Sequence, residues 1–438
     1  MRRALVFAVL IVLAGCASPL DAGSREEPGD DELGWENGYW YDDPVDVTTD
    51  DGFNESEREA IVSRAMARIE EIRGLEFEET VPVEVISREE YRNRSGGGGS
   101  SGAYNDWNNQ VWEGLFLVGE ETDVSDSFDS TLGASVTGYY SPGNDEIVIV
   151  SDSETPTIDR GTLVHELVHA LQDQQFGLNA SADTQDRQLA TDGVIEGEAN
   201  YLEGAYQQRC GNGWDCVETP ERSGGDAPAD YNRGLFLTIY QPYATGPDFV
   251  DAVRERDGWA GVDALHDDFP ASTEQVIHPE AYPDERPVNV TVRDRSNDEW
   301  ERFDVDPVAD TVGEASVFAM FLQNGAVDVS GPAVYDYESA PSEGWGGDSL
   351  VPYENGDGVG AYVWVTRWDT REDARQFRAA YERVLDAHDA EARGDGVYVI
   401  PESDPFGDAI RIDREGTRVR IVNAPTVADL DAVHDAPE

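Results

Sequence analysis

The chain has 438 residues and carries 91 acidic against 31 basic side chains, all of the latter arginine, for a formal net charge of −60. Such a potential argues against nucleic acid as a partner, and the 10 Trp, 18 Tyr and 14 Phe argue against wholesale disorder. Self-repulsion would strain the fold in dilute buffer, but molar salt cuts the screening length to roughly 3 Å, so the composition predicts a halophilic globular protein.

The first 16 residues predict an export signal. Arg2 and Arg3 precede an apolar run that is too short to span a bilayer. The run ends in Leu-Ala-Gly-Cys, which is similar to a lipobox in which cleavage leaves Cys16 as the lipid-bearing first residue. A plain signal peptide or an uncleaved anchor is the alternative, and the arginine pair does not decide between twin-arginine and general export. We expect an exported protein held on the extracellular face of the cell membrane by a lipid anchor.

Residues 17–55 are acidic and rich in Gly, Pro and Asp, which predicts a disordered tether between the membrane and the folded chain. An amphipathic helix is expected to follow from about residue 56, and the VPVEVI at 81–86 is typical of a strand. Further along, VTGYY and EIVIV flank a Pro-Gly-Asn turn and predict two short strands.

The next helix carries the clearest chemical signal. It reads LVHELVHALQDQQF over 163–176, with Leu and Val forming a buried stripe. His165 and His169 lie one turn apart on another face, so both imidazoles can bind one ion, and Glu166 directly follows the first histidine. A lone histidine usually packs, but two at this spacing around a glutamate predict a metal site. Zinc would also need a third protein ligand and an open position for water.

A second helix offers that third ligand. It reads TDGVIEGEANYLEGAY over 191–206, and its helical pattern places Glu196, Asn200 and Glu203 together on one side. Glu198 is a second acidic candidate in the same stretch.

The cysteines agree with export. With Cys16 assigned to the anchor, Cys210 and Cys216 remain, in CGNGWDC. Two cysteines around Gly-Asn-Gly fit a small loop closed by a disulfide in an oxidising compartment. A cysteine metal site is the poorer interpretation, because no other cysteine is left to complete it.

Beyond residue 230 the pattern is mainly helical to about residue 324. Later segments such as GAYVWVTRW and TRVRIVNAP predict strands around the amphipathic helix TREDARQFRAAYERVLDAH, which indicates a compact α+β unit. The Gly-rich and aromatic-rich 344–356 stretch is interpreted as a structural loop. The predicted division is a lipoprotein signal peptide (1–16), the tether (17–55), a metal-binding domain (56–330) and a C-terminal α+β domain (331–438).

The two helices resemble those of the gluzincin metallopeptidases, whose zinc is held by His-Glu-x-x-His and by a glutamate on a following helix. EGEANYLE is similar to the Glu-Gly-x-Ala-x-Tyr ligand segment of that clan. The resemblance implies a thermolysin-like α+β core and one Zn²⁺ held by His165, His169 and Glu196, with Glu198 as the alternative to Glu196. It also implies that Asn200 holds one of the two histidines by a hydrogen bond.

A narrower resemblance runs from about residue 55 to the C-terminus. HELVHALQDQ, EGEA and STEQVIHP together are similar to segments of exported zinc-peptidase-like proteins that include haloarchaeal surface lipoproteins. These segments identify relatives without identifying a substrate.

The resemblance implies hydrolysis of peptide bonds by metal-activated water, with Glu166 as general base. A tetrahedral oxyanion then needs a donor besides the metal. His278, in STEQVIHP, is the first candidate, unless it merely caps or packs; Tyr243 and Tyr282 compete for the role. By the same analogy, the EIVIV strand is expected to be the edge that binds an extended peptide.

The expected protein is a lipid-anchored, cell-surface zinc peptidase that acts on a peptide or protein substrate, with an endopeptidase slightly favoured. The alternative is a non-catalytic surface protein that keeps zinc for binding or stability. Glu166 argues against that alternative, because a structural zinc site has no use for a base and usually closes its fourth position. A hydrolase acting on another bond is a further possibility, and the sequence does not specify an oligomeric state.

Overall fold

The computed structural model describes residue 28 and residues 32–45, 47, 53–95, 102–132, 136–151, 158–178, 181–217 and 231–435. Cys16, the lipobox and about half of the predicted tether lie outside these residues. Over the described part, none of the helices is both long enough and apolar enough to cross a membrane. The chain is a mixed α+β protein with several sheets, as the sequence predicts.

The described helices, in chain order, are α1 (Glu55–Arg73), α2 (Arg88–Ser95), α3 (Ala103–Gly114), α4 (Val124–Leu132), α5 (Arg160–Phe176), α6 (Gln185–Arg209), α7 (Arg233–Asp257), α8 (Trp259–Leu265), α9 (Thr273–Ile277), α10 (Gly313–Gln323), α11 (Arg371–Ala387) and α12 (Leu430–Val433). Short 3₁₀ turns cover Pro279–Ala281 and Gly331–Tyr335.

The described strands are β1 (Trp35–Glu36), β2 (Tyr39–Trp40), β3 (Val83–Ser87), β4 (Gly138–Ser141), β5 (Glu146–Ser151), β6 (Trp300–Arg302), β7 (Trp345–Asn355), β8 (Gly360–Trp368), β9 (Glu391–Gly394), β10 (Val397–Val399), β11 (Ala409–Glu415) and β12 (Arg418–Ala424). They form the β1–β2 hairpin, a sheet of order β3-β5-β4 and a sheet of order β6-β7-β8-β12-β11-β10-β9.

The predicted disordered tether does not extend over residues 32–45. There β1 and β2 pair as a small hairpin that packs on α1. Glu70 of α1 accepts a hydrogen bond from the Gly34 backbone N–H at 2.8 Å, and the Arg68 guanidinium donates to the Tyr41 carbonyl at 2.7 Å. The acidic composition of this stretch does not reveal its contacts with α1, because the side chains that bind it come from another part of the sequence.

The small sheet and three helices build the part of the fold that carries the two histidines. β3 lies parallel to the central β5, and β4 pairs antiparallel with the other side of β5. The chain then enters α5, whose apolar stripe is buried against α1 and α6. The members of that stripe with exposures of 0–2 % are Leu163, Val164, Leu167, Val168 and Leu171. This stripe fixes the rotation of α5 and leaves the histidine face turned away from the core.

The position of β5 corrects one expectation. The EIVIV strand is central in its sheet rather than at the edge, so it cannot pair with an added peptide strand. β4 is the edge strand on this side, and its first residue, Gly138, packs so closely on α5 that a Cβ there would meet the Thr162 methyl group at 2.6 Å.

The predicted disulfide is confirmed. Cys210 and Cys216 are bonded, with an S–S distance of 2.07 Å, directly after the end of α6. The loop they close packs the Trp214 ring under the Arg68 guanidinium, whose carbon lies 4.7 Å from the ring centroid. The disulfide therefore fixes the C-terminal end of the helix that carries Glu196.

The large antiparallel sheet forms the C-terminal unit and buries both faces. Leu350 and Trp364 pack on the side of α11, whereas Val351 and Val363 face the other side, together with α12. The predicted boundary at residue 331 falls inside this unit, because β6 joins the sheet through β7 and because α3 and α10 belong to the same core. The 344–356 stretch is β7 and not a loop; the strand is buried on both faces over most of its length and pairs with β8 over nine residue pairs.

Candidate metal centre

Helix α5 brings the two histidines together. Asp159 caps the helix by accepting a hydrogen bond from the Thr162 N–H at 2.9 Å, which starts the helix one turn before His165. His165 and His169 project from successive turns, and their Nε2 atoms are 3.1 Å apart. The two rings are almost perpendicular, at 87°, so both nitrogens point at the same space beside the helix.

Glu196 of α6 completes the group. Its Oε2 lies 3.0 Å from Nε2 of His165 and 3.3 Å from Nε2 of His169. Zinc held tetrahedrally at 2.0–2.1 Å would have ligand atoms about 3.3 Å from one another. The three observed separations are close to that edge length, so this donor set of two imidazoles and one carboxylate fits zinc without any rearrangement of the helices.

The charges of these three side chains also favour a bound cation. Burial raises the pKa of Glu196, but the two imidazoles lower it by more than burial raises it. The net shift is downward, and the carboxylate is anionic. Burial also lowers the pKa of His169, but Glu196 outweighs this and raises it to about 9. An anionic carboxylate that faces two imidazoles creates a potential that favours a cation between them.

The predicted base Glu166 lies beside this group. Its side chain is 7 % exposed and faces a cavity of about 550 Å³ that is also lined by His165. Burial raises the pKa of Glu166, while His169 and His165 lower it. A carboxylate at the cavity wall, adjacent to the ligands but not among them, is placed to accept a proton from water bound on the open side of an ion.

Tyr243 of α7 faces the same cavity from the opposite wall. Its ring stacks on His165, with centroids 6.1 Å apart and planes at 16°. Burial raises the pKa of the Tyr243 hydroxyl, and the negative charges of Glu196 and Glu166 raise it further, so it stays protonated and can donate a hydrogen bond. Of the candidates for oxyanion donor, Tyr243 is the one that the structure brings to the two histidines.

His278 lies in a different place. Its Nε2 is 3.2 Å from Oε1 of the buried Glu314, and it lines a second cavity that includes neither His165 nor His169. Tyr282 is also elsewhere, with its hydroxyl donating to the Asp268 carbonyl at 3.3 Å. The structure thus does not bring His278 to His165 and His169: the STEQVIHP segment forms α9, which packs on α6, and nothing in the local pattern reveals that placement.

Asn200 does not hold a histidine as expected. Its side-chain N–H donates to the backbone carbonyl of Tyr243 at 3.1 Å. That carbonyl lacks its usual helical partner, because residue 247, four positions on, is a proline without an N–H. Asn200 thus supplies the missing donor and ties Tyr243 to the helix that carries Glu196.

The two helices α6 and α7 touch backbone to backbone at this point. A Cβ on Gly197 would lie 2.5 Å from the carbonyl carbon of Gly246, and a Cβ on Gly246 would lie 2.5 Å from the carbonyl oxygen of Gly193. Only glycine permits this approach, which sets Tyr243 beside Glu196. Gly193 and Gly197 form a small-xxx-small spacing that could have revealed a close helix contact from the sequence, but not its partner.

The histidines are oriented by residues that the sequence analysis missed. His169 Nδ1 lies 2.9 Å from Oε1 of Gln172, one turn further along α5. An Nδ1–H donating to this oxygen leaves the Nε2 lone pair free for a metal. On the other histidine, the carboxylate of Glu203 lies 3.8 Å from Nδ1 of His165. Each imidazole thus has its second nitrogen facing an oxygen, as metal-binding histidines usually do.

Glu198 is excluded as the third ligand by its own partners. Its side chain is 1 % exposed and accepts from Arg73 at 2.5 Å and from Gln172 at 2.8 Å. The imidazole Nε2 of His266 lies 2.9 Å from Oε2 of Glu198, the oxygen that also accepts from Gln172, so this histidine has a structural partner that the sequence did not suggest. Glu198 therefore holds Gln172 in place and connects α6 to α1, while Glu196 faces the histidines.

Replacing Gln172 by leucine should lower zinc affinity about 10-fold to 100-fold, the usual cost of removing a partner that orients a metal-binding histidine. The reason is that His169 would lose the acceptor that fixes its Nδ1–H. Competition with a chromophoric chelator measures this directly. Gln175→Leu on the same helix is the matched control, since Gln175 donates to the Glu76 carbonyl at the surface; equal affinities for the two variants would contradict the role of Gln172.

The cavity next to the centre has one aromatic wall. On α7, Phe236, Tyr240 and Tyr243 recur at helical spacing, and their neighbouring rings stack with centroids 5.0 and 5.9 Å apart. The opposite wall includes Thr137 and Gly138 at the start of the edge strand β4. The cavity is thus lined by aromatic rings of α7 and by polar side chains next to His165 and Glu166.

Residues 301–434 match the model of a domain of unknown function, DUF8575. That stretch runs from β6 to α12 and contains none of the residues of the metal centre. No curated protein and no solved structure matches the chain. The C-terminal unit is therefore what this chain shares with that domain, and the metal centre lies entirely before it.

Proposed function

We propose that the chain is a zinc-dependent peptidase of the gluzincin type. The observation that carries the proposal is that His165, His169 and Glu196 bring their ligand atoms together beside a cavity lined by His165 and Glu166. A structural zinc site usually fills all four positions with protein ligands. Three ligands, an open side and a buried carboxylate beside it are what metal-assisted hydrolysis requires.

Each residue then has a chemical task. Zinc supplies a Lewis acid and lowers the pKa of bound water to about 7. Glu166 accepts the proton of the attacking water and passes it to the leaving amine. Tyr243 donates a hydrogen bond to the oxygen that becomes negative, and Asn200 and the glycine contact of α6 with α7 hold Tyr243 where it can do so.

The cavity suggests how a peptide would bind. The outer edge of β4 can accept an extended peptide as an added strand, which would run past the metal centre. The aromatic wall of α7 would take an apolar or aromatic side chain of that peptide. Because strand addition holds residues on both sides of the cleaved bond, we propose an endopeptidase, acting on other exported proteins from its lipid anchor at Cys16.

The test is to load the purified protein with zinc in molar KCl and measure both metal content and cleavage of a random peptide library. We expect one zinc per chain, cleavage that stops on removal of zinc, and recovery when zinc is restored. Bound zinc with no cleavage of any library member would contradict the proposal and favour a non-catalytic surface protein.

Replacing Tyr243 by phenylalanine should lower kcat about 10²-fold to 10³-fold, the cost of removing one donor to an oxyanion. The ring and its stacking on His165 are kept, so zinc affinity and KM should change little. Steady-state kinetics on a cleaved library peptide give the two constants separately. Tyr240→Phe, one turn away on the same aromatic wall, is the control and should retain wild-type kcat; an equal loss in both variants would point to general damage of the cavity.

A further inference from the structure

A second group of carboxylates lies far from the metal centre in the fold, where α9 and the 3₁₀ turn after it meet the C-terminal unit. Carboxylate oxygens of Glu274, Glu285 and Asp369 all lie within 4.8 Å of one another. They line a cavity of about 430 Å³. The other charged or titratable side chains at that cavity are Glu280, Glu343, Asp373 and His278. No arginine lines it, so the cavity holds no protein cation apart from that histidine.

Glu274 is the unusual member of the group. Its side chain is 4 % exposed and faces into the cavity from the first turn of α9. Over the described part of the chain, no hydrogen-bond donor and no basic side chain pairs with its carboxylate, whereas the other buried acids near it are held: Asp186 by Thr273 and Asp348 by Trp345. A buried carboxylate without a partner is costly, and a bound ion is one of the features that explain such a group.

The surrounding negative charges further disfavour ionisation of the Glu274 carboxyl. Burial, and after it the charges of Glu314, Glu285 and Asp369, together raise the pKa of Glu274 to about 9. His278 offers little relief, because its imidazole is directed to Glu314. A cation bound among the three oxygens would reverse the sign of this environment.

We infer that Glu274, Glu285 and Asp369 form a second cation site, distinct from the zinc centre, that takes a hard divalent cation, with calcium as the best fit. The trio offers only oxygen ligands, which suit calcium and magnesium rather than zinc. Calcium binds oxygen at 2.3–2.6 Å, so two ligands of one ion lie at most about 5 Å apart, and the three carboxylates meet this condition. Water has room in the cavity to complete the coordination.

The bound ion would connect two parts of the fold. Glu274 and Glu285 flank the segment that packs on α6 and α7, which carry Glu196 and Tyr243, while Asp369 precedes α11 of the C-terminal unit. An ion that binds the folded chain but not the unfolded one raises the melting temperature in a saturable way. Calcium should therefore stabilise the protein without being consumed or required in the zinc chemistry.

The experiment uses the purified protein in molar KCl, with zinc loaded and calcium removed. We expect one calcium per chain by isothermal titration, and a melting temperature that rises by several degrees with calcium but not with added KCl at equal ionic strength. The Glu285→Gln/Asp369→Asn double variant changes two exposed side chains and should lose both effects. Glu280→Gln, at the same cavity but outside the trio, should keep both.

Glu274→Gln gives an independent test, since it removes a carboxylate whose charged neighbours at the cavity are, apart from His278, all acids. Without calcium this variant should be at least as stable as the wild type, and with calcium it should gain nothing. Absence of saturable calcium binding, or unchanged binding in the double variant, would overturn the site; saturation by magnesium alone would overturn the choice of calcium. Zinc content and cleavage are separate measurements, so these experiments test the calcium site independently of the peptidase proposal.

Discussion

Glu166→Gln is expected to abolish measurable peptide hydrolysis while zinc binding stays at the wild-type level. Glutamine has nearly the same shape but cannot accept the proton of the attacking water, and loss of a positioned general base costs about 10²-fold to 10⁴-fold in rate. Glu166 is not among the three converging ligand atoms, so the metal should remain. The measurement is zinc content and kcat on the same preparation.

The structure makes this variant a clean test of chemistry. Glu166 is 7 % exposed in a site where burial raises the pKa of its carboxyl, so a neutral amide fits the environment and the fold should not suffer. Glu255→Gln, on an exposed turn of α7, is the matched control and should retain full activity. Activity that survives in Glu166→Gln would exclude this residue as the base and would direct attention to other acids at the cavity.

The helix that carries the two histidines could be predicted because its information is local. Leu and Val at helical spacing fix the buried face of α5, and His165 and His169 then have to share the opposite side. Glu196 could be proposed only from the resemblance to gluzincins, since the sequence alone offers Glu196 and Glu198 equally. Their positions two residues apart put them on different faces of α6, and the partners that distinguish the faces, Arg73 and the histidines, come from α1 and α5.

The errors concern contacts between distant segments. His278 was assigned to the zinc centre because of its motif, but the direction of α9 places it against Glu314. β7 was interpreted as a loop because Gly346 and Gly347 interrupt its pattern, although pairing with β8 compensates for their weak strand preference. The helix contact at Gly197 and Gly246 was missed for the same reason: each glycine is visible in the sequence, but the pairing of the two is a property of the packed fold.

The centre depends on support from several elements at once. Glu198 connects α6 to α1 through Arg73, and through Gln172 it also fixes the imidazole of His169. The ligand Glu196 therefore sits two residues before a buried ion pair that prevents α6 from rotating. This arrangement predicts that the two glutamates have opposite roles, one in metal binding and one in stability.

Glu196→Gln is accordingly expected to lower zinc affinity by more than about 100-fold, beyond the loss seen when only an orienting partner is removed, with little loss of thermal stability in the metal-free protein. Glu198→Gln should do the reverse: it leaves the buried Arg73 with Asp263 as its remaining acidic partner, which should cost part of the about 3–5 kcal/mol that breaking a buried ion pair costs, while one zinc still binds. Chelator competition and thermal unfolding of both variants, each with and without zinc, separate the two effects. The Glu196 carboxylate lies 3.0 Å and 3.3 Å from the two imidazole nitrogens, so its loss should weaken any ion bound there. Zinc lost in Glu198→Gln but retained in Glu196→Gln would therefore show that Glu198 and not Glu196 is the ligand.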